Sequence, residues 1–310
     1  MPEIVITEFM DEAAVDRIRA RHETLYDPQL VDRPDDLIAA VASARAIIVR
    51  NRTRVTAALL AAAPGLRCVG RLGVGLDNID LDACKARDVT VYPASGANDV
   101  AVAEYVVTTA LALLRRAYTA TEDVIAGRWP RQQLIGREGQ GKRLGLVGYG
   151  SIARQTAARA RAFGFSIAAF DPFLPESDAA WADAQRLDLD DLLRLSDVVS
   201  LHVPLTDTTR HMIGADALSA MRPGAVLINS ARGGVVDEAA LADALRQGKI
   251  AGAALDVFET EPLTAEAGRV FAGIANLILT PHIAGVTDES NVRVSRVTAD
   301  NILRHLETLS

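Results

Sequence analysis

Three charged residues follow short apolar runs of strand character, and together their types suit one kind of chemistry. His282 comes after Leu277–Thr280, Glu261 after Ile250–Asp256 and Arg232 after Val226–Asn229. An imidazole can take the hydroxyl proton of a secondary alcohol as hydride leaves the carbon, and return it in the reverse direction. A carboxylate on the far ring nitrogen would fix the tautomer and favour the protonated ring. A guanidinium can hold an α-carboxylate and polarise the carbonyl beside it. Spacing alone leaves the alternative open that these are solvated loop residues. Of the other histidines, His22, His211 and His305 fall in surface helices or a polar loop. His202 instead ends the run Val198–His202, where ligands of parallel sheets bind.

A departing hydride needs an acceptor, and the chain carries a motif for one. The segment from Leu144 to Ala153 turns from strand to helix through GxGxxA. Gly148 permits the tight turn, Gly150 lets backbone approach a pyrophosphate, and Ala153 is small enough for the helix to pack on the strand. The N–H groups of Ser151 and Ile152 open that helix and point its positive dipole end at phosphate. The next strand, Ser166–Phe170, ends in Asp171, about twenty positions beyond the glycines. An acid there accepts from ribose hydroxyls and repels a 2′-phosphate, which implies NAD in preference to NADP.

A second glycine segment, from Gly73 to Asn78, lacks the small third residue and the following acid-tipped strand. It is rejected as a dinucleotide site. The backbone of Gly73, Val74 and Gly75 suits an anion nest for a substrate carboxylate. Arg50, Arg52 and Arg54 follow the run Ala46–Val49. On extended chain, residues two apart face the same way, so Arg50 and Arg52 are expected to face a second substrate anion together. The alternative is an exposed arginine-rich loop.

These positions need strands with free carboxyl ends. The first hundred residues alternate strands (Ile4–Thr7, Ala46–Val49, Leu66–Arg71, Val89–Tyr92) with helical stretches (Asp11–Ala20, Val55–Ala62, Leu81–Ala86). A long apolar helix from Val100 to about Arg116 follows, expected to be buried or at a subunit interface. Six further strands begin at Arg143, the doubly wound plan. A helix from about Asp288 to Leu306 closes the chain and is expected to return to the first domain. The expected architecture is α/β: two Rossmann-like or flavodoxin-like doubly wound parallel-sheet domains with a cleft between them. Residues 1–98 with 286–310 would bind substrate, and 99–285 would bind NAD.

The 310 residues suffice for two domains. A net charge of −7 argues against general affinity for nucleic acid or anionic membrane. No window is apolar enough to span a bilayer. The opening residues read as a strand and not as a leader. Cys68 and Cys84 lack metal or redox spacing and are expected as buried free thiols, so no metal is expected and the setting is cytoplasmic.

The motifs Gly148–Ala153, Asn229–Gly233, Asp256–Pro262 and Thr280–Gly285, with Arg71–Asp80 and Ala103–Tyr105, resemble in order and spacing the D-isomer-specific 2-hydroxyacid dehydrogenases. The resemblance covers nearly the whole chain. It implies that Arg232 binds substrate, His282 is the acid/base and Glu261 is its partner. It further implies that Asp256 holds the nicotinamide carboxamide and that Ser230, Ala231 and Thr209 lie at the cofactor. His202, Pro204, Arg232, His282 and Gly285 are added as cofactor contacts. Family members are commonly homodimers with the long helix in the contact, and hold substrate in a closing interdomain cleft. Within the family the resemblance points to the branches acting on 3-phosphoglycerate and 3-sulfolactate, and no regulatory domain is expected. Two other readings stand beside this one. A nonenzymatic NAD-sensing corepressor shares the fold, and a formate dehydrogenase would carry glutamine where Glu261 stands.

Overall fold

In the computed structural model, which describes residues 2–308, the chain divides into two compact units, Met1–Asn98 with Val286–Ser310, and Asp99–Gly285. The first carries β1 (Ile4–Ile6), α1 (Glu12–Arg19), β2 (Thr24–Tyr26), α2 (Pro34–Val41), β3 (Ala46–Val49), α3 (Ala57–Ala62), β4 (Cys68–Arg71), α4 (Leu81–Ala86) and β5 (Thr90–Pro93). Its sheet is parallel with order β2-β1-β3-β4-β5. Every residue of β1 and β3 is buried, as expected of strands covered on both faces. The strand order reverses at β1 and β3, so the crevice beyond their carboxyl ends is where a doubly wound sheet takes its ligand.

The second unit carries α5 (Asp99–Arg115), α6 (Thr121–Ile125), β6 (Arg143–Val147), α7 (Ser151–Ala162), β7 (Ser166–Phe170), β8 (Gln185–Arg186), α8 (Leu189–Leu195), β9 (Val198–Leu201), α9 (Ala215–Ala220), β10 (Val226–Asn229), α10 (Glu238–Arg246), β11 (Gly252–Leu255) and β12 (Leu277–Leu279). Its parallel sheet runs β12-β11-β10-β9-β6-β7-β8, a dinucleotide-binding order extended by one strand. The last helix, α11 (Asp288–Glu307), belongs to the first unit. A Thr287–Ser290 capping box starts it. It lies so close to β4 that a Cβ at Gly70 would fall 2.8 Å from Thr298 Cγ2, and glycine is what the approach requires.

The apolar character of α5 is accounted for within its own unit. Val102, Val106 and Leu113 pack with Leu144, Ala153 and Ala157 of β6 and α7. Strands β2 and β8 and helix α2 were not expected from the sequence. β2 is three half-buried residues and β8 two exposed ones, both at sheet edges and too short for an alternation to register. Cys68 and Cys84 are free and buried, and burial pushes the Cys68 thiol up to about 12. Among the described residues, no helix is long and apolar enough to cross a membrane, and no cluster of His, Cys, Asp and Glu could hold a metal.

Candidate active site

At the carboxyl ends of β10, β11 and β12, three loops bring Arg232, Glu261 and His282 together. His282 Nδ1 and Glu261 Oε2 are 2.7 Å apart, and Glu261 Oε1 accepts the Phe258 N–H at 3.0 Å. Burial pushes the Glu261 carboxyl up. The hydrogen bonds from His282 and Phe258 and the charges of His282 and Arg232 outweigh it, so its pKa falls below the ordinary carboxylate value. Glu261 is therefore ionised at neutral pH and stays an acceptor that orients the imidazole.

The backbone around His282 is unusual. His282 has φ +55°, a left-handed conformation that a branched-free but non-glycine residue enters at a cost of about 1 kcal/mol. Its N–H donates to the carbonyls of Asp256 at 2.8 Å and Thr280 at 3.0 Å. The Asp256 side chain holds the rest of the loop. Its Oδ1 accepts from Thr280 Oγ1 at 2.5 Å and Ile283 N at 2.8 Å, and its Oδ2 accepts from Ala284 N at 2.8 Å. Asp256 is 1% exposed, so each of these bonds is sheltered from water. Tyr105 on α5 extends the chain, its hydroxyl 2.7 Å from Thr280 Oγ1. Asp256 was expected on the cofactor, and in this structure both its oxygens are engaged with the His282 loop.

Arg232 is shaped by Asn229, a buried residue whose amide serves both ends of a turn. Oδ1 accepts the Ala231 N–H at 3.1 Å while Nδ2 donates to the Arg232 carbonyl at 2.9 Å. Arg232 Nη1 donates to the Ala231 carbonyl at 2.6 Å. At Gly233 a Cβ would lie 1.7 Å from the Phe258 carbonyl oxygen, so only glycine lets this loop run against the one leading to Glu261. Asn229 and Tyr105 stand in motifs visible in the sequence, but their roles depend on hydrogen bonds that spacing does not reveal.

The dinucleotide motif has the shape its residues require. Gly148 has φ +88°, and a Cβ there would fall 2.8 Å from the His202 carbonyl oxygen. Gly150 faces open space, and α7 begins behind it with no side-chain cap on its N–H groups. Those groups, at Ser151 and Ile152, are what a pyrophosphate needs. Ser230 Oγ is buried without a hydrogen-bond partner among the described residues, a further opening for a polar ligand atom. The residues present thus fit NAD. Asp171 stands at the end of β7, its Oδ2 accepting from Tyr149 N at 2.9 Å and Oδ1 from Phe173 N at 2.9 Å. The His202 ring turns to Ser200 Oγ at 3.0 Å, and burial pushes it down to about 4, so it is neutral. Thr209 closes a turn by donating to the Pro204 carbonyl at 2.6 Å. Gly285 directly follows the Ala284 N–H held by Asp256.

In the first unit, Arg50 and Arg52 part company. The chain bends at Asn51–Thr53 instead of continuing β3, so the two-residue alternation that would align them does not hold. Arg52 is exposed and ion-paired with Asp32. Arg50 is half-buried, donates from Nη2 to Asn291 Oδ1 at 3.0 Å, and lies 5.8 Å from the Phe9 ring centroid. Gly73, Val74 and Gly75 follow β4; Gly73 has φ +144° and Val74 is exposed.

Comparison with known proteins accords with this geometry. The sequence profile described as "D-isomer specific 2-hydroxyacid dehydrogenase, NAD binding domain" matches residues 107–284. The chain is 55% identical to (S)-sulfolactate dehydrogenase of Chromohalobacter salexigens over 307 residues, covering 99% of each. It is 37% identical to hydroxypyruvate reductase of Thermotoga maritima, covering 97% of each. A crystal structure of D-lactate dehydrogenase from Aquifex aeolicus complexed with NAD and lactic acid superposes with a TM-score of 0.85 at 30% identity, covering 98% of this chain and 96% of that one. The chain belongs to the D-isomer specific 2-hydroxyacid dehydrogenases. It is an NAD-dependent oxidoreductase, which favours the enzymatic reading over an NAD-sensing corepressor.

Proposed function

We propose that this enzyme interconverts a 2-hydroxy acid and its 2-oxo acid when the substrate carries a second anionic group, of the 3-sulfolactate type. The observation that carries the reading is Arg50, a half-buried guanidinium with no carboxylate ion pair among the described residues, at the end of the strand beside the sheet's reversal point. The 55% identity to a sulfolactate dehydrogenase along the whole chain supports it. A 3-phosphoglycerate-like dianion would satisfy the same charge. Arg52, already paired with Asp32, is the weaker of the two proposed contacts.

Residues 99–285 hold the cofactor and 1–98 with 286–310 serve the substrate. Bound NAD supplies the hydride acceptor at C4 of its nicotinamide ring. Arg232 takes the α-carboxylate and withdraws electrons from the adjacent carbonyl in the reductive direction. His282 receives the hydroxyl proton on Nε2, since Nδ1 faces Glu261, and the Glu261 carboxylate stabilises the imidazolium that results. The Gly73 N–H is spent on the Arg71 carbonyl at 2.8 Å, which leaves Val74 and Gly75 to offer backbone N–H groups to substrate, and Gly148, Gly150, Ser151, Ile152 and Asp171 hold the dinucleotide, with Ser230, Ala231, Thr209 and Gly285 beside it.

A homodimer accords with Tyr118, Ile125, Trp129 and Ile135, large apolar side chains between 67% and 77% exposed within one short segment. Light scattering checks it. Two unpaired thiols suit a cytoplasmic setting. The substrate reading is tested by NADH formation with D- and L-lactate, glycerate, 3-phosphoglycerate and both 3-sulfolactate enantiomers. A dianion is expected to give the highest kcat/KM, and equal values with lactate would defeat the reading.

A further inference from the structure

The loop that presents Arg50 is wired from inside by a carboxylate. Glu8 stands two residues beyond β1 and is 4% exposed. Its Oε1 accepts from Arg50 N at 2.8 Å and Thr53 N at 3.0 Å, and its Oε2 accepts from Arg52 N at 3.1 Å and Asn51 N at 3.3 Å. Four successive backbone donors thus converge on one side chain, as they would on a bound anion. Thr7 Oγ1 and Thr53 Oγ1, 2.8 Å apart, close the end of the loop. The loop's carbonyls are held from the other side. Asn78 Nδ2 donates to the Thr53 carbonyl at 2.6 Å and the Arg50 carbonyl at 3.3 Å.

This arrangement has two consequences for recognition. The nest at the β1–β3 crevice is already filled by a protein carboxylate, so its backbone N–H groups are not available to substrate. Anion recognition there must come from the Arg50 side chain, whose guanidinium lies over Phe9, the residue next to Glu8. Glu8 therefore fixes both the backbone that carries Arg50 and the start of the segment that carries its aromatic support.

We propose that Glu8 is a positioning residue for substrate selectivity, holding Arg50 where it distinguishes a dianionic from a monoanionic 2-hydroxy acid; this rests on the assignment of Arg50 to the second anion. The Glu8 carboxyl is consistent with such a role. Burial pushes it up, yet the bonds from Thr53, Arg50 and Arg52 bring it below the ordinary value, so it stays charged in its nest.

The test is Glu8→Gln, which replaces one acceptor oxygen by an NH2 group facing backbone N–H donors. KM for 3-sulfolactate should rise about fivefold with kcat nearly unchanged, while KM for D-lactate stays put. Amide hydrogen exchange at residues 50–53 should quicken in the same variant. An unchanged ratio of KM for D-lactate to KM for 3-sulfolactate in Glu8→Gln, alongside a ratio lowered by Arg50→Ala, would overturn the role of Glu8 and leave the Arg50 reading intact. An unchanged ratio in Arg50→Ala would overturn both. Should Glu8→Gln not fold, Glu8→Asp keeps the charge but withdraws it by one methylene, and it must lower the same ratio or the proposal fails.

Discussion

The loop after β3 in the first unit and the loop after β12 in the second use one device to different ends. In each, a buried carboxylate from the end of the neighbouring strand accepts consecutive backbone N–H groups: Glu8 those of residues 50–53, Asp256 those of 283 and 284. Such bonds, sheltered from water, fix a loop without secondary structure of its own. The difference lies in the side chains these loops carry. His282 is itself gripped, its ring bonded to a second carboxylate, Glu261. The Arg50 guanidinium forms no carboxylate ion pair among the described residues, and donates to the neutral Asn291. A proton-transfer group must be held in one tautomer and one direction, whereas a binding group has to leave its charge available for ligand.

The largest effect should come from breaking the gripped side. His282→Ala is expected to lower kcat/KM by about 10²–10⁴-fold while the affinity for NAD, measured by fluorescence titration, changes little. Turnover near the wild-type rate would remove His282 from its role and, with it, the reason for Glu261 to be there.

Asp256→Asn separates the loop's support from the chemistry it supports. With Oδ1 retained for Thr280 and Ile283, the new NH2 group would face the Ala284 N–H, donor against donor. A displaced His282 should lower kcat by about ten- to a hundredfold, accompanied by a lower melting temperature. If NAD affinity alone fell and kcat held, Asp256 would be a cofactor contact and not the keystone of this loop.

Much of the second unit was legible in the sequence, and the reason is local. GxGxxA with Asp171, and the Arg232, Glu261 and His282 motifs, each sit within a few residues of the strand that positions them, so apolar runs and turn residues mark them. The supports were not legible. Glu8 and Arg50 lie 42 positions apart, and their contact exists because β1 and β3 pair in register, Ile6 opposite Ile48. Nothing near Glu8 marks it as a ligand for a distant loop. The pairing of Arg50 with Arg52 failed for a similar reason: period two holds for a strand, and Glu8 draws the chain into a bend just where the strand ends.

That bend makes the two arginines a control for one another. Arg50→Ala should raise KM for 3-sulfolactate roughly tenfold, the loss of one charged hydrogen-bonding partner. Arg52→Ala, removing an exposed pair with Asp32, should leave it within about twofold. The reverse order of effects would mean that Arg52 leaves Asp32 for the substrate and that the comparison drawn from Arg50 is mistaken.

The smallest effect concerns stability and tests whether Glu8 is held as a carboxylate. Its pKa is lowered in the folded protein, so ionised Glu8 contributes stability that is complete above the ordinary carboxylate pKa and is lost as pH falls through the folded value. Relative to Glu8→Gln, which does not titrate, the wild type should be more stable by about 1 kcal/mol at neutral pH. That margin should shrink through the mildly acidic range below the ordinary carboxylate pKa. Urea unfolding of both proteins across pH 3–7 reads the difference directly. A margin that does not change with pH would assign the stabilisation to the shape of the side chain and not to its charge, and the likeness between the Glu8 and Asp256 loops would then be one of geometry alone.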